Sequence, residues 1–304
     1  MGACPRFSTP FQTHIPAGRS TLTPPRSILI TGCSSGIGHC AAHSLKQRGY
    51  RVFATARRAD DVERLRDEGL EDALALDLTH GDSLQAAVER VLAATGGTLD
   101  ALFNNGAYGQ PGAVEDLSRE ALRAQLETNL LGWLELTNRV IPVMRAQGAG
   151  RIVQNSSVLG RVALPFRGAY TCSKFALEGL TDTLRMELEG SGIHVSLIEP
   201  GPIASRFRAN AHAAFTARIP REDSHFREQY AAAERRLTKS GPAAPFTLPP
   251  EAVVQRLIHA LEHPRPRSRY RVTLPTQVFV ALKRLLPDPW MDRVMLAVSR
   301  GEHR

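Results

Sequence analysis

The chain has 304 residues, 42% hydrophobic and 22% charged, which is enough apolar material for one large α/β domain or two small ones. It carries a formal charge of +8 and a pI near 9.8. Its 38 Lys and Arg are scattered and thicken only after Gly201, at Arg206, Arg208, Arg218, Arg221, Arg235 and Arg236, so a solvated surface is expected and nucleic acid is not. Nothing reaches the roughly 18 consecutive apolar residues of a membrane span. Cys4, Cys33, Cys40 and Cys172 lack C-x-x-C spacing, which indicates neither a structural metal nor a disulfide framework and fits reduced thiols in the cytoplasm.

Residues 1–26 hold Pro5, Pro10, Pro16, Pro24 and Pro25 and no acidic residue. They read as a disordered tail, with a targeting segment or an overcalled start as alternatives. From Ser27 strand and helix alternate. Short apolar strands are expected at Ile28–Ile30, Val52–Thr55, Ala73–Leu76, Leu99–Phe103, Ile152–Asn155 and His194–Ile198. Helices are expected between them, near residues 36–48, 59–68, 82–94, 118–145 and 166–188. This pattern predicts a single doubly wound Rossmann-type domain over residues 27–275, a parallel sheet with helices on both faces and ligands at the strands' carboxyl ends. Residues 202–248 are polar and partly helical and form a substrate-loop region. A helix follows at 251–262, then an edge strand at Tyr270–Val272. Residues 276–304 form a basic, amphipathic helical extension broken at Pro287 and Pro289, suited to peripheral membrane contact.

The segment Thr31-Gly32-Cys33-Ser34-Ser35-Gly36-Ile37-Gly38 joins the first strand to the first helix. Glycines there let the backbone turn sharply beside a pyrophosphate, and the helix N-terminus offers free N–H groups. The second strand ends in Thr55-Ala56-Arg57-Arg58, with no acid to meet a ribose 2′-hydroxyl. Arg57, aided by Ser34, would instead pair with a 2′-phosphate, so NADP(H) is the expected cofactor; a merely solvated Arg57 is the alternative.

Tyr170 and Lys174 lie four apart on a predicted helix, hence on one face. A tyrosine near its ordinary pKa of about 10 is a poor acid/base, and a lysine cation about 4–6 Å away is expected to lower it by about 1–3 units. Two adjacent serines, Ser156 and Ser157, end the fifth strand. Asn129 stands mid-helix among leucines, an unfavourable place for an idle asparagine.

The pattern T-G-x-x-x-G-x-G at Thr31–Gly38 with Tyr170-x-x-x-Lys174 resembles the short-chain dehydrogenase/reductase family across residues 27–205. The run from Tyr170 to Gly179 resembles its 17β-hydroxysteroid and retinol dehydrogenase branch. The resemblance implies the catalytic set Asn129, Ser157, Tyr170 and Lys174, with Ser157 preferred because it precedes the tyrosine by thirteen residues. It further implies that Asp77 and Leu78 meet the adenine and that Asn105 and Gly106 line the cofactor, although Gly106-Ala107 transposes the family's usual order. Lys174 would contact the nicotinamide ribose beside Tyr170, and Asn129 would hold a water for proton relay. Pro200, Gly201, Ile203 and Ser205 would pass round the nicotinamide. Tyr108, Leu159, Leu164 and Phe207, with Phe166 and Pro202, would line an apolar pocket. The expected activity is NADP-dependent interconversion of a hydrophobic alcohol (a CH–OH donor) and its aldehyde or ketone, chiefly as a carbonyl reductase on aliphatic aldehydes, retinoids or steroid-like ketones. A homo-oligomer built through the two long helices is expected. A non-catalytic NADP-binding redox sensor or scaffold is the alternative.

Overall fold

The computed structural model describes residues 26–238, 241 and 244–302; the expected tail therefore lies, but for Arg26, outside the described residues. Among the described residues seven strands form one sheet: β1 (Ser27–Ile30), β2 (Arg51–Ala56), β3 (Leu74–Ala75), β4 (Ala101–Asn104), β5 (Gly150–Asn155), β6 (Ile193–Glu199) and β7 (Arg269–Arg271). Their order is β3-β2-β1-β4-β5-β6-β7, and every pairing is parallel. The chain moves outward one way from β1 to β3 and the other way from β4 to β7, so the order reverses between β1 and β4, which opens a crevice there at the carboxyl ends.

Strand alternation sends neighbouring side chains to opposite faces. Ile28, Ile30, Val52 and Ala54 join one core cluster, and Leu29 and Phe53 join the other. The first cluster is covered by α1 (Gly36–Gln47), α2 (Ala59–Asp67) and α9 (Glu251–Glu262), through Ala41, Leu45, Leu65 and Leu257. The second is covered by α3 (Gly81–Thr95), α5 (Gly132–Gln147) and α6 (Gly168–Glu187), through Val88, Trp133, Leu136 and Leu177. Both faces are thus buried, which is why the strands read as unbroken apolar runs.

Three expectations are corrected. The helix expected over 118–145 is α4 (Arg119–Leu126), a π-helical turn at Glu127–Leu131, and then α5. The turn follows from contacts outside the helix. Asn129 inside it is bound to the main chain of Tyr108, and a Cβ on Gly132 would lie 2.0 Å from the Leu78 carbonyl oxygen. The helix expected from Phe166 starts at Gly168, because Phe166 takes φ 61° and its carbonyl accepts from Gly112 N. In the C-terminal extension Pro287 separates α10 (Leu274–Leu285) from α11 (Asp288–Glu302), but Pro289 sits in the first turn of α11, where its missing N–H costs nothing. Between β6 and α9 the loop region carries α7 (Phe207–Arg218) and α8 (Arg227–Thr238), which pack through Phe215, Ile219 and Tyr230.

Candidate active site

The glycine turn after β1 is built by backbone proximity. Gly32 and Gly36 take φ 72° and 59°, which favours glycine. A Cβ on Gly38 would stand 2.2 Å from the Gly32 carbonyl oxygen, and one on Gly36 would stand 2.9 Å from Ser205 Cβ. Ser35, the residue before α1, makes no side-chain cap, and the first turn of α1 has no acid. A turn with glycine at its three closest approaches, leading into an uncapped helix N-terminus, fits a pyrophosphate.

Two further loops close on this turn. Thr31 Oγ1 accepts from the N–H groups of Asn105 (2.8 Å) and Gly106 (2.9 Å), tying the loops after β1 and β4 across the crevice. Asn105 Nδ2 donates to the carbonyls of Thr31 and Gly32, and its Oδ1 accepts from Asn155 Nδ2. A Cβ on Gly106 would meet Gly32 N and Leu78 Cδ1 at 3.2 Å, and Trp133 Nε1 holds the Gly106 carbonyl at 2.8 Å. The transposed Gly106-Ala107 order therefore sits where space is tight. From the other side Val158 N donates to Pro200 O (2.7 Å), a Cβ on Gly201 would stand 2.2 Å from Thr273 Oγ1, and Ile203 bridges Leu248.

Arg57 follows β2 at an exposed position, and no acid occupies that strand end. Asp77, partly buried after β3, accepts from Thr79 N and Oγ1. Burial acts to raise its carboxyl, but these bonds and the charges of His80 and Arg57 hold it below the usual carboxylate range. Arg64, which sequence reasoning missed, donates from Nη2 to the Ser34 carbonyl at 2.9 Å and braces the glycine turn.

Tyr170 and Lys174 lie one turn apart on α6, beside the end of β5. Lys174 is fully buried; its Nζ donates to the Asn155 carbonyl (2.8 Å) and lies 4.2 Å above the Trp133 ring centroid and 5.8 Å from that of Tyr170. Burial pushes the ammonium down to about 7, against the favourable charge of Glu178 one turn further on. Burial pushes the Tyr170 phenol up to about 12, with a hydrogen bond from Ser157 pulling it back. This corrects the expectation that the lysine draws the tyrosine down: loss of solvent is the larger cause and the Ser157 hydrogen bond acts against it, while the same burial disfavours the lysine's own charge.

Ser157 is buried, and its Oγ also accepts from Leu159 N. Asn129 is fully buried; it accepts from Tyr108 N (3.2 Å), donates to Tyr108 O (2.8 Å) and reaches Ser173 Oγ at 3.5 Å. Its bonds thus fix the loop after β4, and Lys174 is bound elsewhere. Phe207 packs edge-on against Tyr170, centroids 5.4 Å apart, and both rings lie over Gly109, next to Tyr108. Leu159 and Leu164 instead pack with Val162, Met291 and Met295, towards the C-terminal helices. Phe166 packs edge-on against Phe226. Trp133, four residues after Asn129, and Asn155, next to the serine pair, were missed; both flank residues that the motifs do mark.

The family profile described as short chain dehydrogenase matches residues 26–214. The chain belongs to the short-chain dehydrogenase/reductase family. It is 43% identical over 270 residues to the uncharacterized oxidoreductase YbbO of Escherichia coli (strain K12), covering 89% of this chain and 94% of that one. It is 34% identical over 288 residues to human 17-beta-hydroxysteroid dehydrogenase type 1 (90% and 84% covered) and 34% identical over 274 residues to human retinol dehydrogenase 8 (85% of each). These relatives place this short-chain dehydrogenase/reductase in the hydroxysteroid and retinol dehydrogenase branch. Among solved structures, a Streptomyces avermitilis short-chain dehydrogenase superposes with TM-score 0.71 at 26% identity, covering 91% of this chain and 98% of the other. A Burkholderia phymatum family member in complex with NAD gives TM-score 0.73 at 26% identity, covering 85% and 92%. The protein is accordingly an oxidoreductase with a nucleotide-binding Rossmann fold.

Proposed function

We propose that the protein uses NADP(H) to interconvert a hydrophobic alcohol and its aldehyde or ketone, working mainly as a carbonyl reductase. The observation that carries this reading is the convergence of Ser157, Tyr170 and Lys174 beside the glycine cradle. NADPH, when bound, supplies the hydride. Ser157 orients the substrate oxygen towards Tyr170, and Tyr170 gives it a proton as negative charge develops there. A phenol at about 12 holds that proton at neutral pH. Lys174 supports the phenolate left behind, and Asn129 holds the loop bearing Tyr108 against the site. The cradle residues are Gly32, Ser34–Gly38, Asp77, Leu78, Asn105, Gly106, Pro200, Gly201, Ile203 and Ser205. The choice of NADP rests on Arg57, since the Burkholderia phymatum relative is described with NAD.

An apolar substrate is supported by Phe207 and Tyr108 around Tyr170 and by relatives named for steroids and retinol. No described helix is long and apolar enough to cross a membrane. Leu274, Leu285 and Trp290 stand exposed on α10 and α11 and support peripheral contact with an anionic bilayer. Exposed Leu131, Leu134, Phe175 and Met186, in the π turn and on α5 and α6, support a homo-oligomer.

Purified protein mixed with NADPH and medium-chain aldehydes, retinal or a ketosteroid tests the proposal. Turnover is expected with at least one carbonyl and is abolished in Tyr170→Phe. Turnover surviving in that variant refutes the mechanism, and nucleotide binding without turnover on any carbonyl refutes the activity. NADPH is expected to bind more tightly than NADH in the wild type and to lose that advantage in Arg57→Ala; equal affinities in the wild type refute the cofactor assignment.

A further inference from the structure

On the outer side of the fold, α1 and the end of α2 meet through three side chains that the nucleotide site does not use. His39 and His43 are four residues apart on α1 and therefore share a face. Their Nε2 atoms point at the same oxygen of Glu68, the residue that closes α2, at 2.6 and 3.1 Å. The ring centroids lie 4.6 Å apart, and the three potential donor atoms lie within 4.8 Å of one another. We propose that His39, His43 and Glu68 form a binding site for a divalent transition-metal ion, with Zn²⁺ the best match, which ties α1 to the end of α2.

The donor set selects the ion. Two imidazoles and one carboxylate suit borderline ions such as Zn²⁺, whereas Mg²⁺ and Ca²⁺ take oxygen ligands almost throughout. Three protein ligands leave a tetrahedral ion one position for water. The side chains are 34%, 29% and 32% exposed, so an ion can enter and keep that water. Bonds of about 2.0–2.2 Å at tetrahedral angles set ligand atoms roughly 3.3–3.5 Å apart. Glu68 Oε2 therefore needs to retreat from His39 by less than about 1 Å, and the donor atoms, within 4.8 Å of one another, need to draw in to that spacing, movements open to side chains about a third exposed.

The surroundings also suit a ligand carboxylate. Glu68 Oε1, the oxygen turned away from the imidazoles, accepts from Arg64 Nη1 at 2.9 Å, and Arg64 is balanced by Asp61 at 2.8 Å. Such an outer hydrogen bond orients a ligating carboxylate, and the Asp61 partner offsets the cation beside the ion.

The test uses the untagged full chain freed of metal with EDTA and titrated with ZnCl₂ by calorimetry, with thermal melting in parallel. Saturable binding of one ion per chain is expected, together with a rise in melting temperature that EDTA reverses and MgCl₂ does not reproduce. Each of His39→Gln, His43→Gln and Glu68→Gln is expected to weaken binding by at least about tenfold, since changes to outer partners alone cost 10–100-fold. These readouts require no turnover, so they stand or fall independently of the catalytic reading. Absence of saturable binding to the wild type overturns the proposal. So does unchanged affinity and stoichiometry in all three folded variants, which would put the ion elsewhere.

Discussion

Replacing Lys174 with methionine should abolish turnover and make the protein more stable. Lowering a buried amine from its ordinary 10.5 to about 7 corresponds to about 5 kcal/mol of unfavourable burial, at about 1.36 kcal/mol per pH unit. Methionine fills similar volume without that cost. Two losses offset the gain. The Asn155 carbonyl loses its donor, which costs about 1–3 kcal/mol when buried, and the cation over Trp133 is worth about 0.5–2 kcal/mol. The net is roughly 0–3.5 kcal/mol in favour of Lys174→Met at neutral pH, or up to about 10 °C in melting temperature for a domain of this size. The sign of its pH dependence follows from linkage. The folded amine titrates below the unfolded one, so the unfolded chain binds the extra proton between about pH 7 and 10.5. The wild-type penalty is full below about pH 7 and fades as pH rises towards 10.5, and the advantage of the variant must shrink over that window. Melting both proteins from pH 6 to 10 checks this, because other titrations cancel in the difference. A variant that melts below the wild type at pH 7, or an advantage that does not shrink with pH, refutes the reasoning.

Asn129→Ala should cost about 1–3 kcal/mol in urea unfolding, chiefly by stranding the Tyr108 N–H, because Gln125 Nε2 still donates to the Tyr108 carbonyl. Gly38→Ala should force its methyl against the Gly32 carbonyl, with overpacking of about 1–3 kcal/mol, and should weaken nucleotide binding more than it lowers the melting temperature; fluorescence titration with NADPH checks it. Glu199, fully buried, faces Arg269 at 3.1 Å and Arg271 at 3.5 Å. Glu199→Ala should therefore cost about 1.5–3 kcal/mol, chiefly through Arg271, because Arg269 keeps Glu178 and Asp182, and equilibrium denaturation measures it.

The fold was legible where local pattern and tertiary demand agree. Ile28-Leu29-Ile30 reads as a buried strand because both faces of the sheet are covered, and an all-apolar run is what two covered faces require. It was illegible where a distant segment overrides local preference. Nothing in Glu127–Leu131 itself asks for a π turn; it forms beside the main chain of Tyr108 and the carbonyl of Leu78, which lie on other loops. Phe166 likewise adopts a left-handed conformation disfavoured for a bulky residue, within packing against Phe226, just before α8, and Tyr230 of α8. Leu159 and Leu164, close in sequence to Ser157, pack with Val162, Met291 and Met295 towards the C-terminal helices, a contact that nearness in sequence does not reveal.

The candidate site divides the same way. Spacing alone brings Tyr170 and Lys174 to one helix face, and strand ends bring Ser157 and the glycine turn to meet them, because helix and strand periods are fixed by the backbone. Protonation is not fixed by the backbone. Lys174 is stripped of water against Trp133 from α5 and bound to Asn155 from β5, and Tyr170 packs edge-on against Phe207 from α7. None of these neighbours lies within the four-residue motif, and together they reverse the direction expected for the tyrosine. Motif spacing thus names the groups that meet, while the elements packed round them set how firmly each holds its proton. In the proposed reduction, that places the proton on Tyr170, where it is needed.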